Sequence, residues 1–249
     1  LHYFLVSMKT LDQHDLSSLR LIAYSGSPMP AATIRALRER FPSVWLHNFF
    51  GLTETISITN VLSNVDAGVR PDSVGPALPD VGMRILDESG GELPPGEIGE
   101  LCFHKTNVVQ GYWKRPGLLE QAITGDWFHT GDLALVAGQG YLYLKGRKKD
   151  MIIVGGENVY ANEVEMCLAT HEKVLESAVV GVEATGMLAY LGELVKAVIV
   201  PRPGATLTEQ EIKRHCAAKL PTYCQPRIIE FRDSLPRNPS GKVIKRELK

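Results

Sequence analysis

The sequence predicts an α/β (α+β) chain in two parts, and three observations carry that prediction. A stretch of helical period near the amino end runs into a short apolar segment. Between residues 83 and 144, several short β-like runs are separated by turn residues. Beyond residue 160, helical and strand-like segments alternate. At 249 residues the chain can bury an apolar core without disulfide or metal staples.

In chain order, Ile34, Leu37 and Phe41 recur at helical spacing with Arg and Glu between them, which predicts an amphipathic helix over 28–41. Val44-Trp45-Leu46 reads as a short buried strand ending at Asn48. From Gly51 to Gly82 there is little periodicity, and Gly75-Pro76 and Leu78-Pro79-Asp80 mark loop. Strands follow at 83–86, 99–103, 133–136 and 141–144, with breaks at 88–91 and 137–140. They predict a small barrel or sheet layer. The polar, basic Gly146-Arg147-Lys148-Lys149-Asp150 has the composition of a domain boundary. Past it, helices are expected over 161–170 and 208–220, and strands over 174–182, 194–200 and 227–231. Thr208 followed three residues later by Glu211 is a capping-box signature for the second helix.

Several function classes drop out on composition. Lys and Arg total 27 against 28 Asp and Glu, so no basic footprint points to a nucleic-acid partner or an anionic membrane. No apolar run reaches the roughly 18–20 residues that span a bilayer. Cys102, Cys167, Cys216 and Cys224 lack metal-ligand spacing, and the apolar setting of Cys167 and Cys216 suits core thiols, which fits a reducing, cytoplasmic environment. The opening Leu1–Val6 lacks both an initiator Met and the basic flank of a signal peptide, and reads as a chain cut from something longer.

Four segments set Gly beside hydroxyl, carboxylate or basic residues outside any apolar period. In Asn48-Phe49-Phe50-Gly51-Leu52-Thr53-Glu54, the Thr hydroxyl can hold a phosphate oxygen and the carboxylate a Mg²⁺ ion. A capped helix start after a strand explains the same residues equally well. In Trp127-Phe128-His129-Thr130-Gly131-Asp132, a carboxylate after a glycine turn can accept both hydroxyls of a ribose, though Gly-Asp is also a common turn. The third segment runs from Gly146 through Gly155-Gly156-Glu157-Asn158-Val159-Tyr160 to Glu163-Val164-Glu165. The fourth, Pro236 to Arg246, places Lys242 on a Gly-hinged loop, able to meet a phosphate or a polarised carbonyl. Alone it would read as a solvated tail.

In this order the segments resemble the adenylate-forming superfamily of acyl-CoA synthetases, peptide-synthetase adenylation domains and luciferases. Residues 48–54 are similar to its YGxTE motif, 99–112 to GEL…GY and 129–132 to TGD. Residues 146–165 are similar to the hinge and GRxxDxI…GG…E motif, 236–246 to PxxxxGK, and Ser25-Gly26-Ser27-Pro28 to a GGAP-type turn. The family's phosphate loop ending in PKG does not occur here. The resemblance therefore implies the C-terminal portion of such an enzyme. Residues 1–147 would be an incomplete large domain with a β-barrel-like part, and 148–249 a complete, mobile small domain hinged near Lys149.

It further implies two reactions: ATP and a carboxylate give an acyl-adenylate and pyrophosphate, and CoA then takes the acyl group. Position by position, it gives adenine to Gly26, Asn48, Phe50 and Gly51, the α-phosphate to Thr53 and Mg²⁺ to Glu54. Asp132, helped by Arg147, receives the ribose, and Lys242 the carboxylate and phosphate oxygens. The Gly155-Gly156-Glu157 loop serves the second step. Phe50 stands where the family usually has Tyr, and His129 reads as structural. Transfer to a carrier-protein phosphopantetheine, arrest at the adenylate, and a folded but non-catalytic fragment remain alternatives. The resemblance fixes neither the acid nor the oligomeric state, and a homo-oligomer stays open.

Overall fold

The computed structural model describes residues 8, 10–26, 29–239 and 241–249. The opening hexapeptide, the Ser27-Pro28 half of the GGAP-like turn and Ser240 lie outside the described residues. The chain divides into two compact units, Leu1–Leu144 and Lys145–Lys249.

The first unit begins with β1 (Leu21–Ser25), α1 (Ala31–Arg40) and β2 (Trp45–Gly51), the two strands lying parallel with Ser25 opposite Phe49. Ile34 and Leu37 of α1 are buried against Ile22, Tyr24 and Leu46, which explains the helical period of this stretch. β2 is longer than the sequence predicts, running to Gly51 instead of Asn48, and it is buried on one face only. Leu46 is fully buried, whereas Trp45 is 62% exposed beside stacked His47. The stretch expected to be loop holds β3 (Ile58–Leu62), antiparallel to β2, and the short helix α2 (Asn64–Val69), capped by the Ser63 hydroxyl.

The predicted sheet layer is present. β4 (Met83–Leu86), β5 (Gly99–His104), β7 (Trp127–Ala137) and β6 (Ile123–Thr124) lie in that order, and β8 (Tyr141–Arg147) pairs with β7. Ile85, Leu101, Phe103, Ala134 and Leu142 form its core, with Phe50 and Leu52 packed on them. Ser73 joins the two sheets, since its hydroxyl donates to the Leu142 carbonyl (2.8 Å) while its own carbonyl accepts from Asn48 (3.3 Å).

In the second unit, the hairpin of β9 (Ile152–Val154) and β10 (Glu157–Val159) precedes α3 (Ala161–Ala169). β11 (Val174–Glu183), β12 (Glu193–Pro201) and β13 (Ile228–Phe231) form one sheet, with α4 (Glu209–Ala217) between the last two. The capping box of α4 forms as predicted, with Thr208 accepting from the Glu211 N–H (3.2 Å) and Glu211 accepting from the Thr208 N–H (2.9 Å). The helix ends at Ala217, earlier than its apolar pattern predicts, and Thr222–Cys224 forms a further turn of 3₁₀ helix.

This sheet is apolar on both faces. Val164, Leu168, Ile212 and Cys216 of the helices cover Val179, Val195, Ala197 and Ile199 on one face, where Ile152, Val154 and Val159 also pack. The other face, Ala178, Val180, Val198 and Val200, is covered by Leu235, Val243 and Leu248 of the tail. A bulge at Leu175 lets Val174 join the helix-side core while Glu176 falls on the opposite side of the strand. All four cysteines are buried. Burial pushes the Cys216 thiol up to about 12 and Cys224 up to about 11, so they behave as core residues. Among the described residues no helix is long and apolar enough to cross a membrane.

Candidate active site

Gly26 and residues 48–54 lie together at the carboxyl ends of the parallel strands β1 and β2. Ligands of open α/β sheets bind in such a crevice. Gly26 follows β1 directly, and Asn48, Phe50 and Gly51 lie among the last four residues of β2. A Cβ on Gly51 would overlap the Ser57 carbonyl, so only glycine allows the chain to double back there into β3. Leu52–Thr55 is a turn, not the capped helix that the sequence also permits. Thr55 fixes it by accepting from the Leu52 N–H (2.9 Å) and donating to the Ser57 carbonyl (2.9 Å).

Thr53 is exposed at the tip of this turn, and Glu54 is half-buried beside it. The Glu54 carboxylate accepts from the Tyr112 hydroxyl at 2.6 Å, and its backbone carbonyl accepts from the Val109 N–H at 2.8 Å. That hydrogen bond, with burial and the carboxylate charge, pushes the Tyr112 phenol up to about 12, so it remains a donor across the working pH range. Tyr112 belongs to the GEL…GY segment, which the sequence marked without a role. The partner is 58 residues away, and nothing local to either residue signals it.

Asp132 sits inside β7, where the sequence suggested a turn. Glu100 pairs with Leu133 and Cys102 with His129, so Leu101 alone faces Thr130, Gly131 and Asp132. Gly131 adopts φ +72° to make this bulge possible. The Thr130 hydroxyl donates to the Leu101 carbonyl (2.7 Å) and accepts from the Asp132 N–H (3.0 Å). Asp132 is only 8% exposed. It and the Thr53–Glu54 turn rest on one framework, since Phe50 and Leu52 pack on the core that contains Leu101 and Ala134.

In the second unit, Arg147 ends β8 and Lys149 lies in the 3₁₀ turn Lys148–Asp150, both exposed. Gly155 and Gly156 form the tight turn of the β9–β10 hairpin at φ +61° and +89°, and exposed Glu157 follows. The Gly155 N–H donates to the Leu191 carbonyl at 2.8 Å. Lys242 is exposed on the loop between Leu235 and Leu248. The Asn238 carbonyl accepts from Gly241 (2.8 Å), the Asn238 side chain accepts from the Lys242 N–H (2.9 Å), and Arg237 donates to the Gly241 carbonyl (2.7 Å). Arg237 also pairs with Glu176 at 2.7 Å, and Lys245 with Glu165 at 2.8 Å. The tail is thus pinned at both ends of the loop. The hairpin and the lysine loop belong to opposite faces of the β11–β12–β13 sheet.

Among the described residues no three His, Cys, Asp or Glu side chains cluster as a metal cage. One half-buried carboxylate beside a hydroxyl suits Mg²⁺ instead, which keeps waters and is shared with substrate phosphates. Glu54 and Thr53 fit that donor set.

The carboxyl-end crevice of the first sheet is where ligands of such sheets bind, and comparison with known proteins gives the class. The AMP-binding enzyme family matches residues 1–113, and the AMP-binding enzyme C-terminal domain matches residues 163–242. The chain belongs to this adenylate-forming family. It is 37% identical over 98% of its length to a long-chain-fatty-acid–CoA ligase of Escherichia coli O6:H1, spanning 42% of that protein. Among solved structures, the amide bond synthetase McbA of Marinactinospora thermotolerans is 35% identical with a TM-score of 0.89, over 99% of this chain and 49% of that one. The o-succinylbenzoate CoA synthetase of Bacillus subtilis, in complex with ATP and magnesium, is 30% identical with a TM-score of 0.86, over 99% and 49%. The chain thus spans about half the length of the relatives it matches.

Proposed function

We propose that these residues are the nucleotide-holding and lysine-bearing part of an AMP-forming carboxylic acid–CoA ligase, with ATP, CoA and a small-molecule carboxylic acid as substrates. The observation that carries the reading is the second unit's construction. One sheet supports, on its two faces, a Gly-Gly hairpin and a lysine loop, which suits one small domain serving two successive reactions.

In the first reaction a carboxylate oxygen attacks the α-phosphorus and pyrophosphate leaves. Asn48, Phe50, Gly26 and Gly51 would hold adenine by hydrogen bond, ring contact and close backbone approach. Asp132 would accept the ribose hydroxyls, with Arg147 assisting. The Thr53 hydroxyl would donate to the α-phosphate, and Glu54, oriented by Tyr112, would take Mg²⁺. That ion supplies charge neutralisation at the phosphates. Lys242 would place its ammonium between the carboxylate and phosphate oxygens as negative charge builds there. In the second reaction a thiolate attacks the acyl carbon and AMP leaves. The Gly155-Gly156-Glu157 turn, without side chains at its apex, would line the passage of a pantetheine arm. The segment around Lys149 would be the hinge.

The likeness to an amide bond synthetase favours a second reading, in which the adenylate is delivered to an amine. Incubating the full protein with ATP, a panel of carboxylates and either CoA or an amine, then weighing the products, separates the two. Acyl-CoA formation is the expected result, and amide without acyl-CoA would replace the first reading. Residues 1–249 alone, spanning 42% of a ligase relative, are expected to form neither product.

A further inference from the structure

We propose that Glu100 is a positioning residue that sets the bulge from which Asp132 works, and so controls discrimination for the ribose hydroxyls. This rests on the ribose role given to Asp132. The bulge removes β5 ladder partners from three consecutive residues of β7, and side chains take over part of that pairing. Thr130 supplies one replacement within the bulge itself. Glu100 supplies another from the neighbouring strand. Its carboxylate accepts from the Gly131 N–H at 3.0 Å, and its second oxygen lies 3.2 Å from His129 Nδ1.

The two contacts bracket Thr130, so one carboxylate fixes the strand just before the bulge and again at its apex. The Glu100 side chain is 12% exposed and His129 25%, so water is a poor substitute for either bond. Gly131 needs this support because its backbone, at φ +72°, can relax toward the other conformations open to glycine. Asp132 follows directly. A shift of the Gly131 peptide therefore re-aims its carboxylate, and a displacement near 1 Å at a reacting site can cost about a hundredfold.

The test compares ATP with 2′-deoxy-ATP and 3′-deoxy-ATP as substrates for carboxylate-dependent pyrophosphate release by the full protein. Asp132→Ala defines the preference left without the ribose carboxylate. Glu100→Ala should lower the ATP preference about tenfold or more toward that floor. Glu100→Gln, which can still accept from Gly131, should keep the preference within about threefold of the native value. If Glu100→Ala does not fold, Glu100→Asp carries the test, because its carboxylate is withdrawn by one methylene and should give an intermediate loss. Equal loss with all three nucleotides, or an unchanged ratio, would overturn the positioning role. An Asp132→Ala protein with native preference would bring down the ribose assignment together with the inference built on it.

Discussion

Asp132 and Lys242 are presented in opposite ways. Asp132 is buried in the middle of an eleven-residue strand, at a bulge whose lost ladder bonds are replaced by Thr130 and Glu100. Lys242 is exposed on a loop whose own turn hydrogen bonds shape it, with Leu235, Val243 and Leu248 anchoring its flanks on a sheet. The first device holds one geometry. The second offers a charge from a firm base on a long, exposed side chain. The two devices suit the proposed roles, since a ribose would need a fixed acceptor, whereas an ammonium used in one of two reactions would have to arrive and leave.

The contrast can be tested by mutation. Asp132→Ala should act on every step that uses the nucleotide, lowering kcat/KM for ATP on the order of a hundredfold, because two charge-assisted hydrogen bonds are removed. Steady-state kinetics with varied ATP reads this, and a change below threefold would contradict it. Gly131→Ala should destabilise the first unit by about 1–2 kcal/mol, the cost of a Cβ at positive φ, and should weaken ATP use as well. Denaturant titration beside the kinetics checks both effects. The lysine loop should be more forgiving. Glu176 and Arg237 are each 41% exposed, and such pairs are worth about 0.2–1 kcal/mol. Glu176→Ala should therefore slow adenylation only about two- to fivefold and leave acyl transfer unchanged.

The smallest effect belongs to a residue that serves the fold alone. Thr208→Ala removes the cap of α4 and should cost about 1 kcal/mol, with native turnover at 25 °C. Its partner Glu211 is held down at about 2 by the Lys173 hydrogen bond and by Thr208. Because its folded value is depressed, its contribution is complete above the ordinary value of 4.5 and drains as pH falls toward 2. Glu211→Gln should thus be less stable than the native chain at pH 7 and equal to it near pH 2, as unfolding curves at the two pH values would show.

What the sequence made legible follows from range. The cap at Thr208, the helix at 161–169 and the strands at 83–86, 99–104 and 193–201 rest on local period and turn chemistry, and each end lies within one residue of the predicted one. β3 was hidden because its burial does not alternate and its partner β2 lies across a turn with no hairpin signature. Trp45 misled because an apolar run does not say that only one face is covered. The tail reads as polar, yet Leu235, Val243 and Leu248, widely spaced among charged residues, suffice to dock it. For the site, Gly26, Asn48, Phe50, Gly51, Thr53 and Glu54 were legible as one segment with its upstream turn, and they do lie at neighbouring strand ends. Glu100 and Tyr112 were not. Their partners are 31 and 58 residues distant, and a pairwise contact across a sheet leaves no mark in the spacing of either member.

The most direct measurement takes Lys242→Ala in the full protein and follows the two half-reactions separately. Carboxylate-dependent pyrophosphate release should fall on the order of a hundredfold or more, as expected for losing a preorganised cation at developing charge. Acyl transfer to CoA from supplied acyl-adenylate should stay within about twofold of the native rate. Parallel loss of both reactions, or survival of the first, would contradict the account.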